Sequence, residues 1–255
     1  MVYEFIDLDG QSGASHTPPD AMRIDGTHIE DIVPGYQQLV VTGRGLLGKT
    51  LSFVQVPGRD GAFNVQAHTE PRTLTINYKL EAKDSEELRA RYDVLNNLLE
   101  GALKITFDDD PGWTFTGYLE AAELPPEDKN SVLASFNIFC ADPYAYSDKK
   151  TNNPVALQHA KEVLPDKITV RGSNQDNIKI SNGEDELTIF GGHTTSDTIV
   201  IEWTPEEVTV KKNGNNALTS LGWLSVPELF KLKNNTRITV TNGTLVGIEW
   251  RDRKR

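Results

Sequence analysis

Three groups of residues in this 255-residue chain have types and spacings that could do chemistry. The first is Gly43-Arg44-Gly45-Leu46-Leu47-Gly48-Lys49-Thr50, in which glycine, four residues and then Gly-Lys-Thr have the form of a phosphate-binding loop. That loop works only between a buried strand and a helix whose N-terminus faces the phosphates. Leu39-Val40-Val41-Thr42 suits the strand. Leu51-Ser52-Phe53-Val54-Gln55-Val56-Pro57-Gly58 is rich in β-formers and closes on Pro-Gly, so no helix is expected there. The second group is Asp108-Asp109-Asp110. Clustered carboxylates suit a hard cation, but the alternating ligands of a calcium loop are missing and Pro111-Gly112 follow, as in a solvated turn. As half of a glycosidase pair, the aspartates would have to face another carboxylate across a cleft. The third is Cys140, the sole cysteine, set in the apolar-rich run Phe136-Asn137-Ile138-Phe139-Cys140 with no neighbouring histidine. It reads as a small buried hydrophobe, with no disulfide and no thiolate zinc site available.

The remaining candidates are scattered. His16, His28, His68, His159 and His193 have no metal-ligand spacing, and none sits in a local Ser–His–acid motif. Trp203 and Trp250 share a strand face with preceding isoleucines and read as core, whereas Trp223 falls in a loop as an exposed contact residue. The expectation is therefore no catalytic residue, no metal site and no cofactor.

The elements that would position these residues are mostly strands. Leu74–Leu80 alternates apolar and polar residues, as do Val132, Ala134, Phe136, Ile138 and Cys140. Ile105 and Phe107, then Trp113 and Phe115, flank the aspartates as a hairpin. One helix interrupts them. Asp84 or Ser85 caps its start, Glu86 and Glu87 occupy its first turn, Leu88, Tyr92, Leu95 and Leu99 make one apolar stripe, and Gly101 stops it. In the second half, Ile168/Val170, Ile178/Ile180, Leu187/Ile189, Ile199/Ile201, Val208/Val210 and Ile238/Val240 mark short strands. Asn182-Gly183, Asn213-Gly214 and Asn242-Gly243 signal hairpins, and Ser225–Phe230 a single helical turn with Pro227 near its start. This half reads as an antiparallel sandwich. The polar run Ser147–Pro154 is the linker, dividing the chain into 1–147 and 148–255.

The formal charge of −11 argues against wrapping nucleic acid. Arg251-Asp252-Arg253-Lys254-Arg255 reads as an exposed basic tail. No apolar run is long enough for a membrane helix. The acid-containing opening Met1–Asp9 reads as a first strand and not as a secretion signal, which predicts synthesis and assembly in a cytoplasm.

Val56-Pro57-Gly58-Arg59-Asp60-Gly61, the early helix with its downstream hairpin, and Cys140-Ala141-Asp142-Pro143-Tyr144-Ala145-Tyr146 come in that order. Together they resemble the distal tail proteins of siphophages. Val208-Thr209-Val210-Lys211-Lys212-Asn213-Gly214, Leu229-Phe230-Lys231-Leu232 and Gly247-Ile248-Glu249-Trp250-Arg251 extend the resemblance over nearly the whole chain. The resemblance implies a mainly β protein. Its N-terminal β-sandwich-like domain would build a homohexameric ring, and its C-terminal domain would be a galectin-like or carbohydrate-module-like sandwich whose last strand either stays there or returns to the first domain. It further implies a tail-tip place in the virion, between the tail tube protein and a tail-associated lysin or fibre-like protein. Receptor-binding or other peripheral baseplate proteins would sit around it, with no membrane insertion. DNA would pass through without specific binding: six copies carry 6 × (−11) = −66 charges, suited to an acid-lined channel. The turn Gly58, Arg59, Asp60, Gly61 is the matching loop to test for ring contacts. It is equally an ordinary turn. Two other functions fit the residues themselves, a carbohydrate-binding module and a glycan hydrolase.

Overall fold

The computed structural model describes residues 17–123 and 130–255, which form two compact units meeting in sequence at Pro143 and Tyr144. The expected strand in Met1–Asp9 and His16 lie outside the described residues. Both units are built from antiparallel strands.

In the first unit the strands are β1 (Met22–Ile24), β2 (Thr27–His28), β3 (Tyr36–Thr42), β4 (Lys49–Val54), β5 (Phe63–Thr69), β6 (Arg72–Glu81), β7 (Leu103–Phe107), β8 (Trp113–Ala122) and β9 (Ser131–Cys140). Seven of them hydrogen-bond in the order β2-β1-β7-β8-β9-β6-β3. The long strand β8 pairs with β7 through Phe115–Gly117 and with β9 from Tyr118 onward. Alternation sets which side chains enter the core: Leu74, Ile76, Tyr78 and Leu80 of β6 pack with Val132, Ala134, Phe136, Ile138 and Cys140 of β9. Tyr78 lies between Tyr36 (5.3 Å, stacked) and Phe136 (5.6 Å, tilted).

A four-residue helix, α1 (Ile29–Ile32), follows β2. The main helix, α2 (Ser85–Leu98), starts where Asp84 accepts a hydrogen bond from the Glu87 backbone N–H at 2.9 Å. The Glu87 carboxylate in turn accepts from the Lys83 N–H at 2.8 Å, so two otherwise orphaned donors are satisfied at one helix end. Leu88, Leu95 and Leu99 are buried, Tyr92 is half-buried, and Gly101 takes a positive φ of 78° just past the end.

The second unit contains β10 (Ala145–Ser147), β11 (Glu162–Val163), β12 (Pro165–Gly172), β13 (Gln175–Ser181), β14 (Glu186–His193), β15 (Thr198–Trp203), β16 (Val208–Lys212), β17 (Asn215–Asn216), β18 (Leu232–Lys233), β19 (Thr239–Thr241), β20 (Gly243–Trp250) and β21 (Arg253–Lys254). A five-stranded sheet, β17-β16-β15-β12-β20, and a three-stranded sheet, β14-β13-β19, share one apolar core containing Val170, Ile180, Ile189, Ile201, Phe230 and Trp250. The strand ending in Trp250 pairs with β12 in this unit.

Two expectations are corrected. Asn182-Gly183 and Asn213-Gly214 do turn hairpins, but Asn242-Gly243 does not. It carries the chain from β19 in one sheet to β20 in the other, because β19 pairs with β13 and β20 with β12. The left-handed Asn242 (φ 61°) makes a one-residue bend between two strands that do not pair with each other. The basic C-terminus is no solvated tail either. Arg251 is ion-paired to Asp166 at 2.9 Å, Arg253 lies 4.6 Å over the Tyr144 ring, and Asp252 between them is fully buried.

Candidate assembly surface

The segment between β3 and β6 does not join the core. Among the described residues, β4 and β5 pair only with each other, and residues 48–68 are exposed without interruption. The residues nonetheless suit strands: Leu51 faces Ala67 and Val54 faces Phe63 across the ladder, with one bulge after Ser52. Phe53 is 57% exposed and Val65 64% exposed, with Leu51, Val54, Val56 and Phe63 each about half exposed. A two-stranded hairpin with no sheet or helix behind it is marginal in water, and one this apolar is a surface made to be covered.

At the tip are the four residues singled out from sequence, Gly58, Arg59, Asp60 and Gly61. Gly58 (φ 83°) and Gly61 (φ 85°) occupy the left-handed region, so the turn needs glycine at both ends. The Arg59 N–H donates to the Val56 carbonyl at 3.2 Å, and the Arg59 guanidinium sits 4.4 Å over the Phe63 ring, a cation on an aromatic face. At the base, buried Arg72 donates from Nη1 to the Gly43 carbonyl (2.8 Å) and from Nε to the Pro143 carbonyl (3.1 Å). Thr50 also donates to Glu70 where the arm begins. The arm is thus anchored at its root and bare along its length.

The other chemical candidates are absorbed by structure. The segment after Gly48 is strand β4, so Lys49 and Thr50 have no helix N-terminus to present to a phosphate. Asp108 accepts from Arg23 at 2.6 Å and lies 2.7 Å from His28 Nε2, which together hold its carboxyl below the ordinary range against the opposing effect of burial. Asp109 pairs with Arg44 at 2.7 Å, and that guanidinium lies 4.1 Å over Phe107. The aspartates therefore tie loops to the β7–β8 turn. Cys140 is buried, and desolvation pushes its thiol up to about 11, which disfavours the reactive thiolate. His193 is buried with Nε2 3.1 Å from the Ile189 carbonyl, and His68 lies exposed 3.5 Å from Glu70.

Trp203 and Trp250 are core residues whose indole N–H groups donate to the Pro227 carbonyl (3.0 Å) and the Asn152 carbonyl (3.2 Å). Trp223 is 88% exposed. Sequence reasoning recognised the β-character of Leu51–Gly58 but missed the apolar faces of the arm. The available signal was a strand pair rich in large apolar residues whose alternation continues no other strand's pattern.

Residues 25–140 match the model of the phage tail protein RIFT-related domain. The distal tail protein of Bacillus phage SPP1 is 25% identical over 219 residues, spanning 78% of this chain and 83% of that protein. The fold is also that of the SPP1 Dit crystal structure, described as a paradigm of the hub adsorption apparatus in phages infecting Gram-positive hosts. The TM-score there is 0.74 at 21% identity, over 92% of this chain and 99% of that one. A chain of the phage p2 baseplate in its activated conformation with strontium shares the fold more distantly, with a TM-score of 0.54 at 9% identity over 92% of this chain and 98% of that one. Residues 25–140 thus match a phage tail protein domain, and over most of its length the chain is similar to siphophage distal tail proteins.

Proposed function

We propose that this chain is a non-enzymatic tail-tip hub of a long-tailed, non-contractile phage. Six copies close a ring that joins the tail tube protein to a tail-associated lysin or fibre-like protein and carries peripheral receptor-binding components. DNA passes through an acid-lined channel without specific binding. The observation that carries the reading is the β4–β5 arm, whose apolar side chains have nothing among the described residues of their own unit to cover them. Burying the exposed half of Leu51, Phe53, Val54, Val56, Phe63 and Val65 against a neighbouring copy is worth roughly 5–9 kcal/mol gross per arm, before the cost of association. The turn at Gly58, Arg59, Asp60 and Gly61 places a cation at the tip of each arm, where the next copy would meet it.

The test is the mass of the assembled chain by analytical ultracentrifugation, with negative-stain imaging. The parent chain should form six-fold rings alone or with its tail tube partner. Phe53→Asp/Phe63→Asp should be monomeric with an unchanged far-UV spectrum, and Arg59→Ala should weaken the ring more mildly. A ring that survives the double substitution removes the arm from the interface. A parent chain that stays monomeric alone and with tail partners refutes the hub.

A further inference from the structure

The second unit carries an apolar surface that its own core does not use. Between η-turns at Leu218–Ser220 and Pro227–Leu229, a strap crosses the edge of the three-stranded sheet and exposes Trp223 (88%) and Leu224 (74%), with Val226 and Leu229 about half exposed. Half-exposed Phe190 of β14 lies beside it, so close to Gly222 that a Cβ there would meet the ring at 3.1 Å. The strap is held firmly. Gly222 N–H donates to the Thr188 carbonyl at 2.7 Å, Ser225 Oγ accepts from Thr188 N–H at 2.9 Å, Leu221 bridges to Ile189, and Trp203 donates to the Pro227 carbonyl. A rigid backbone presenting a tryptophan and a leucine to water has already lost the entropy that binding would otherwise cost.

Beyond its ion pairs, the charge around this surface is acidic. Trp203 stacks on Phe230 at 6.3 Å and donates to the Pro227 carbonyl, so the Thr204-Pro205-Glu206-Glu207 turn leaves from a residue bound to the strap, and Glu228 lies within the strap itself. All three glutamates are exposed, while residues 203–210 and 217–230 contain no lysine or arginine. The neighbouring lysines are all ion-paired: Lys211 with Glu202, Lys231 with Glu162, Lys179 across from Thr188 with Glu186, and Lys212, whose ammonium also caps the Gly191 and Gly192 carbonyls next to Phe190, with Asp197. A saccharide would use the tryptophan face but would leave Leu224, Val226 and Leu229 dehydrated against hydroxyls, so the aliphatic content favours protein.

We propose that this strap docks a protein partner through an apolar segment flanked by lysine or arginine. The proposal names the chemistry of the peripheral attachment and rests on the hub reading for its setting, yet its surface belongs to the second unit and the arm to the first.

The full-length chain is titrated by calorimetry with three probes: a synthetic amphipathic leucine–lysine helix, its leucine–glutamate counterpart, and chitin oligosaccharides. The leucine–lysine peptide should bind at least ten-fold more tightly than the glutamate peptide. Trp223→Ala/Leu224→Ala should weaken it at least ten-fold, and Glu206→Gln/Glu207→Gln/Glu228→Gln should erase the preference between peptides. The arm variant Phe53→Asp/Phe63→Asp should bind normally, which separates this test from that of the ring. Failure of the leucine–lysine peptide to bind, equal affinities, or binding that survives the strap substitutions would overturn the proposal. So would Trp223-dependent sugar binding, or self-association abolished by Trp223→Ala/Leu224→Ala.

Discussion

At the scale of residues, the most consequential side chain lies in the segment whose composition looked least structured. Asp252 accepts from the backbone N–H groups of Gln158 (2.7 Å), His159 (3.1 Å), Ala160 (3.0 Å) and Arg253 (2.8 Å). Burial alone would raise its pKa, but these four donors outweigh that and hold it below the ordinary carboxylate range. Its backbone exchanges further bonds with Ser147, so one aspartate fastens both the start and the end of the unit. Asp252→Ala leaves these donors without an acceptor and should cost about 3 kcal/mol, read as a lower urea midpoint by tryptophan fluorescence. Asp252→Asn should lose less, because one carbonyl oxygen remains. A basic pentapeptide gives no hint of this, because a nest of backbone donors around residues 158–160 has no side-chain signature in sequence.

At the scale of elements, local rules carried well wherever an element packs on one face. The helix cap at Asp84, the stripe of Leu88, Leu95 and Leu99, and the alternation in β6 and β9 all stand where their patterns put them. Asp84→Ala should destabilise the first unit by about 1 kcal/mol, seen as a drop in thermal midpoint with α2 intact, because only one donor of the first turn loses its partner. The rules failed where pairing partners are chosen at long range. Asn242-Gly243 has the residues of a tight turn, but whether its flanks pair depends on which strands β13 and β12 recruit. The β4–β5 arm has the residues of ordinary strands, and only its exposure among the described residues marks it as a surface. The strap at Trp223–Leu229 was half legible: the lone loop tryptophan stood out, but Leu224, Phe190 and the acidic rim gather only in three dimensions.

At the scale of the whole molecule, the ionisable groups set a bounded window of stability. In the first unit, Asp108 is held low chiefly by its bond to Arg23. In the second, Asp197 is held low by the Thr194 N–H and Asn213, and Glu202 by Lys211 and Lys167. Carboxylates lowered by folding contribute fully above their unfolded pKa, near pH 4, and lose that contribution as pH falls through the folded values. The thermal midpoint should therefore be flat around neutrality and fall below about pH 4, with Asp197→Asn reducing the acid slope. Cys140 and Tyr78 act in the opposite direction, since burial raises both. The thermal midpoint should decline again above about pH 9, less so in Cys140→Ala, as the unfolded thiol ionises first. By itself the sequence determined the β class, the one long helix, the core faces and the family resemblance, because each is written in short-range periodicity or in local motifs read in order. Only the tertiary structure decided that the arm is uncovered, that the C-terminus is bound through Asp252, and that Trp223 stands on a rigid strap with an acidic rim. Exposure and partnership are properties of what lies nearby in space, and neighbours in space are set by long-range pairing that no local pattern records.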